Sequence, residues 1–104
     1  MIILSLDNYN EKIIDVSEIL KTIGHPARLC IVCRLMVKEH NVSQMQNCLN
    51  LPQSTISQHL SILKSKGIIE GTRNGTEIIY SLKNDNVRKI INSIFSLDEI
   101  PIIN

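Results

Sequence analysis

The sequence predicts a mainly α-helical domain carrying one small β-hairpin, an α+β chain in the order α-α-α-α-β-β-α. Apolar residues recur at helical spacing through most of the chain. The single pair Asn74-Gly75 separates two β-prone runs, the strongest short-range signal for a hairpin. Composition bounds the rest: with 43% hydrophobic but only 3% aromatic residues, the core must be aliphatic, and 104 residues suffice for one domain without disulfide or metal support.

Residues 10–23 read as the first helix, with Ile13, Val16, Ile19, Leu20 and Ile23 on one broad face and Gly24 as its stop. Pro26 fits the first turn of a second helix that runs to about Lys38, and His25 before it is biased to extended geometry, a helix-start residue rather than a ligand. This second helix is apolar nearly all round, so it is mostly buried, with one polar stripe of Arg34 and Lys38. A short third helix spans roughly Val42 to Asn50, with Ser43 as its cap. Leu51-Pro52 then forces a tight turn into a fourth helix, and two short helices so joined make a helix-turn-helix candidate. Gly67 ends that helix. The run from Ile68 to Arg73, Asn74-Gly75 as a two-residue type I′ turn, and the run from Thr76 to Leu82 follow. Arg73 and Thr76 are expected at the hairpin tip and Ile78, Tyr80 and Leu82 against the core; a hairpin directly behind a recognition helix is a wing. Residues 84–97 form the last helix, with Val87, Ile90, Ile91, Ile94 and Phe95 apolar. The chain, 1–104, therefore reads as a single winged helix-turn-helix domain.

The fourth helix is the unusual one. At about 100° per residue, Ile56, Leu60 and Leu63 fall on one narrow side. The other side carries Ser54, Gln58, Ser61 and Ser65, flanked by Thr55. Exposed helices ordinarily mix Glu with Lys for pairing one turn apart, yet no Asp or Glu occurs between Glu39 and Glu70. Such a face suits a helix that slides between phosphates and offers short donors and acceptors to base edges. Net charge is only +1, but the middle of the chain, 25–84, holds seven bases against three acids, between acidic ends. That distribution suits a polyanion on one surface and self-association on another.

Several stretches in this order resemble the ArsR/SmtB family of small winged-helix repressors: Ile23-Gly24-His25-Pro26-Ala27-Arg28-Leu29, the block from Gln53 to Leu60, Leu63-Lys64, Gly67-Ile68-Ile69, Arg73 with Gly75, and Tyr80-Ser81-Leu82. The resemblance runs from about residue 12 to 97. It implies a homodimer joined through the first and last helices, an operator with two-fold symmetry, and repression relieved by an effector. The apolar surfaces of 10–23 and 84–97 exceed what a small core absorbs, which independently favours a dimer seam of Ile13, Val16, Leu20, Ile90, Ile91, Ile94 and Phe95. The tail Ile100-Pro101-Ile102-Ile103-Asn104 is expected to pack on a partner chain or on the first helix.

For double-stranded DNA the candidate contacts are Gln53, Ser54, Thr55, Ser57, Gln58 and His59, with Gln58 able to pair bidentately with adenine. Ser57 and His59 lie nearer the flank, where a structural or phosphate-touching role competes with base reading. Lys64, Lys66 and Arg73 are phosphate candidates; Arg73 also suits a minor groove. Arg28 fits an internal hydrogen bond and a phosphate contact equally well.

The effector question falls on the cysteines. Cys33 shares a side with Leu29, Val32 and Met36 and reads as core, as does Cys48; Cys30 lies beside Arg34 and Lys38, where positive charge favours a thiolate. A lone Cys-x-x-Cys inside a helix is a weak metal signal. Family metal sites fail here residue by residue: Asn41, Ser43 and Gln46 stand where the arsenic and cadmium type carries cysteines, and no His follows His59 where the zinc and nickel type needs one. Ile31-Val32-Cys33 resembles the persulfide- and oxidant-sensing branch, whose second cysteine on the last helix is missing. Thiol chemistry at Cys30 and Cys33 is therefore favoured over a metal, with inert cysteines the competing reading, and neither a metal nor a cofactor is expected. Three cysteines, an odd number without an export signal, suggest a reducing cytoplasm, and the short apolar start of the chain is no membrane segment. No catalytic constellation is present, and a dithiol enzyme would need its Cys-x-x-Cys at an exposed helix start. A transcriptional repressor is the resulting expectation. The alternative is a winged helix used as a protein-interaction module, which would need apolar anchors on the outer face of the fourth helix, where only Ile62 offers one.

Overall fold

The computed structural model describes residues 10–96, in the order α1 (Glu11–Ile23), α2 (Pro26–Val37), α3 (Val42–Leu49), α4 (Gln53–Ser65), β1 (Ile69–Asn74), β2 (Glu77–Leu82) and α5 (Asp85–Ile94). The winged helix-turn-helix order expected from the sequence is the one observed. The apolar tail after Ile100 lies outside the described residues. No helix among them is long and apolar enough to cross a membrane.

Four of the five described helices start on a side chain that accepts from a free backbone N–H. Asn10 Oδ1 accepts from Ile13 N at 2.8 Å, His25 Nδ1 from Ala27 N at 3.1 Å and Asn84 Oδ1 from Val87 N at 3.1 Å. His25 is thus the helix-start residue expected. The cap of α3 is Asn41 rather than Ser43: Asn41 and Gln44, three residues apart, bond reciprocally through both side chains, and Ser43 is left exposed in the first turn. That helix closes at Leu49, because Asn50 takes a left-handed conformation with φ 55°. Among the described residues, only α4 starts without a side-chain cap, on Pro52.

The core is one cluster. Ile31 and Val32 of α2, Met45 of α3, Ile56, Leu60 and Leu63 of α4, Ile68 and Ile69 at the start of the hairpin, and Val87 and Ile91 of α5 are all sealed from water. Aliphatic residues fill it, as composition required. Three expectations change. Arg34 is only 5% exposed, not part of a solvated stripe with Lys38, because residues 31–35 are buried in succession and α2 is enclosed on nearly every side. Its Nε has no hydrogen-bond partner, a costly arrangement for a cation. Cys48 is half-buried and lies outside the core cluster, whereas Cys33 is buried within it. The last helix is shorter than 84–97: Phe95 turns extended (φ −115°, ψ 135°) and ends it.

The hairpin also differs in register. Asn74 pairs with Glu77, so the two-residue turn is Gly75-Thr76 and not Asn74-Gly75. Gly75 has φ +69°, and neither Asn74 nor Thr76 is positive, the pattern of a type II′ turn. The reason lies at the hairpin root. This register sets buried Ile69 against buried Leu82 and the Tyr80 ring against Gly71, where a Cβ would come within 3.2 Å of Tyr80 Cε1 and 2.8 Å of Ile78 Cγ2. A turn centred on Asn74-Gly75 would pair Gly67 with Leu82, yet Gly67 (φ +71°) is spent in leaving α4. Leu82 and Tyr80 reach the core as expected, while Ile78 is half-buried nearer the tip.

The turn assignment has a direct consequence. Gly75→Ala should destabilise the fold by about 1 kcal/mol through its positive φ, and Asn74→Ala should change it by less than about 0.5 kcal/mol. Urea unfolding of the two variants checks this; the reverse order would restore the Asn-Gly turn.

Candidate nucleic-acid interface

Burial of Ile56, Leu60 and Leu63 leaves the opposite side of α4 no choice but to face out. Gln53, Ser54, Ser57, Gln58 and Ser61 are exposed there, and Thr55 is half-buried at its edge. Ser65 is exposed too, but its hydroxyl donates back to Ile62 O at 2.7 Å. With no side-chain cap at Pro52, the first N–H groups of α4 remain available at the positive end of the helix dipole, a placement that suits a phosphate. A helix of this length is about 20 Å long, enough to enter a major groove by its first turns.

The two flank positions separate. Ser57 is exposed, whereas His59 is half-buried and held from behind. Its Nδ1 lies 3.5 Å from Arg28 Nη1 and its ring stands 4.7 Å from that of His25, tilted by 46°. Arg28 Nε in turn donates to Thr22 O at 2.6 Å, at the end of α1. Arg28 therefore has the internal role, bracing α4 against α1 and the start of α2. Burial, followed by electrostatic influence from the neighbouring His25 and Arg28, pushes the His59 pKa down, which favours the neutral ring with Nδ1 free to accept.

Lys64 and Arg73 are exposed. Lys66 Nζ lies 3.5 Å from Glu18 Oε2, with both side chains about half exposed, a pair too well solvated to hold the lysine from a phosphate. Sequence reasoning missed the wing's attachment. Asn41 Nδ2 donates to Glu77 Oε2 at 2.9 Å, and His40 and Tyr80 exchange backbone bonds of 3.1 and 2.8 Å. The spacing of Asn41 and Gln44 is a capping-box signature that points to Asn41, but nothing local pairs it with a residue 36 positions on.

The seam candidates lie on α1 and at α5. Ile13, Leu20 and Ile94 are exposed, Ile94 by 62%, and Val16, Ile90 and Phe95 are half-buried. Ile91 is different: it is 1% exposed in this chain's own core, because it shares the inward side of α5 with Val87. Cys30 is half-buried, while burial and the neighbouring Cys30 push the Cys33 thiol up, Arg34 acting the other way. Among the described residues no three His, Cys, Asp or Glu side chains come together as metal ligands.

Comparison with known proteins gives this geometry its context. The profile of the family described as "Bacterial regulatory protein, arsR family" matches residues 25–70. The transcriptional repressor PagR of Bacillus anthracis is 47% identical over 78 residues, 74% of this chain and 78% of that protein. The biofilm growth-associated repressor of Xylella fastidiosa is 34% identical over 83 residues, 80% of this chain and 73% of that one. The structure of HlyU from Vibrio cholerae superposes with a TM-score of 0.79 at 27% identity, covering 83% of this chain and 94% of that chain.

The depressed pKa of His59 fixes the sign of a pH effect. The unfolded chain takes up this proton first, so His59 costs stability as pH falls below about 6.5 and no further once the folded chain is also protonated. Melting followed by circular dichroism should show a smaller loss of Tm between about pH 7.5 and about pH 5.5 in His59→Asn than in wild type. An equal loss would contradict the brace.

Proposed function

Since the chain belongs to the arsR family of bacterial regulatory proteins, we propose that it is a homodimeric, cytoplasmic repressor that binds a two-fold symmetric operator and is released by thiol chemistry. Its family and fold are those of DNA-binding transcription regulators and not of enzymes. The observation that carries the reading is the outer face of α4, exposed, acid-free and built from Gln53, Ser54, Ser57 and Gln58. Gln58 reads a base edge, the serines and Thr55 support it, and Lys64, Lys66 and the wing's Arg73 take phosphates. His59 aligns the helix from behind.

Ile13, Val16 and Leu20 of α1 with Ile90 and Ile94 of α5 and Phe95 just after it form the dimer seam, whose burial removes apolar surface that a monomer leaves wet. Two copies of α4 then meet successive major grooves, which is why the operator is two-fold symmetric. Cys30, half-buried on the side of Arg34, is the thiol that reacts with an oxidant or a persulfide; Cys33, buried and pushed toward the protonated form, is its structural neighbour.

On a duplex selected from a random pool, Gln58→Ala should lose roughly 1–3 kcal/mol of discrimination against scrambled DNA, and Arg73→Ala should lower the salt slope by about one per protomer, about two for the dimer. Equal affinity of wild type for both duplexes, or binding indifferent to salt, would reject DNA reading by this face. Peroxide or persulfide should release wild type and Cys33→Ser but not Cys30→Ser; release of all three, or by divalent metals alone, would move the sensor elsewhere.

A further inference from the structure

Asn41 sits where three elements meet. It caps α3, follows His40 in the loop from α2, and lies against the first residue of β2. Its Oδ1 accepts from Gln44 N at 2.8 Å, its own N donates to Gln44 Oε1 at 2.8 Å, and its Nδ2 donates to Glu77 Oε2 at 2.9 Å. A backbone N–H can only donate and a carboxylate only accept, so one orientation of the amide satisfies both. Asparagine suits the place for that reason. Aspartate caps a helix equally well but has no donor for Glu77, and serine caps without the reach.

β2 is therefore held at two points by neighbouring residues of one loop. His40 holds Tyr80 through paired backbone bonds, and Asn41 holds Glu77 through side chains. The root of the hairpin is already held in the core by Ile68, Ile69 and Leu82, the His40 bonds hold the middle of β2, and the Asn41 bond holds it farther out. This last bond lies at the tip, because Glu77 pairs with Asn74, and Arg73 is the next residue back along β1. Asn41 and Glu77 line one cleft together with Gln53, at the start of α4, and Thr76.

We infer that Asn41 and Glu77 form a clasp that sets the wing at a fixed angle to α4, so that Asn41 is a positioning residue for DNA binding and touches no DNA itself. This rests on the reading above, in which Arg73 meets the DNA backbone. The clasp also gives a reason for the acid. A carboxylate beside a polyanion weakens binding by charge alone, and here it accepts the bond that keeps the wing in place.

The test uses the full chain and a duplex selected from a random pool on the wild-type protein, with affinity measured across a salt series. Asn41→Ser keeps the cap acceptor and the net charge and removes only the donor to Glu77. It should bind about fivefold more weakly, with a thermal midpoint lowered by no more than about 8 °C, as the loss of one solvated hydrogen bond implies. Its salt slope should fall as that of Arg73→Ala does, and Arg73→Ala should add nothing on top of Asn41→Ser. Glu77→Gln, which still accepts from Asn41, should bind more tightly than Glu77→Ala, which cannot. Independent effects of Asn41→Ser and Arg73→Ala, or full affinity in Asn41→Ser, overturn the clasp while leaving the DNA reading intact. A silent Arg73→Ala overturns the wing contact itself, and with it any role for the clasp.

Discussion

Ile56, Leu60 and Leu63 leave water almost completely, and α4 has one orientation that lets all three do so. Each contributes roughly 1.5–3 kcal/mol by its burial, far more than any single surface contact of this helix. They enter one core with Ile31 and Val32 of α2 and Met45 of α3. The polar side of α4 is thereby fixed as a by-product of packing: nothing on the outer face needs to hold the helix, so that face is free to carry amides and hydroxyls. A recognition surface made this way is rigid at its base and chemically unconstrained at its tip.

Smaller interactions refine that orientation. His59 and Arg28 tie α4 to the end of α1, and Lys66 meets Glu18 farther along. Lys83 N and Asn84 N both donate to Ile68 O, closing the hairpin root where α5 begins. Asn41 and His40 hold β2 to the loop before α3. None of these is strong alone. Together they connect the proposed seam helices, the reading helix and the wing through backbone and side-chain bonds that each join two elements, which is how a change at α1, α2 or α5 would reach the DNA-facing surface.

Much of this was legible in the sequence, for a physical reason. Helix interiors announce themselves because burial imposes a period, and Ile56, Leu60 and Leu63 or Val87 and Ile91 obey it. Ends are set by single hydrogen bonds, which leave a fainter trace: Asn41 and Ser43 are both good caps, and only the reciprocal bond with Gln44 decides between them. The turn at Gly75-Thr76 was decided outside the turn, by Ile69 meeting Leu82 and by Gly67 being already committed to the end of α4. Arg34 defeats the pattern altogether, since an arginine among apolar residues reads as a solvated stripe until the surrounding elements close over it. The outer face of α4 was visible as a run of polar residues without acids. The bond from Asn41 to Glu77 was not, because it joins residues far apart in the chain.

Amide hydrogen exchange with and without a selected duplex tests most directly whether the outer face of α4 is the surface that meets DNA. The account predicts slowed exchange in residues 53–59 and in the wing around 73–77, with α1 and α5 unchanged in a preformed dimer. Protection confined to α1 and α5, with α4 and the wing exchanging as in the free protein, would contradict it.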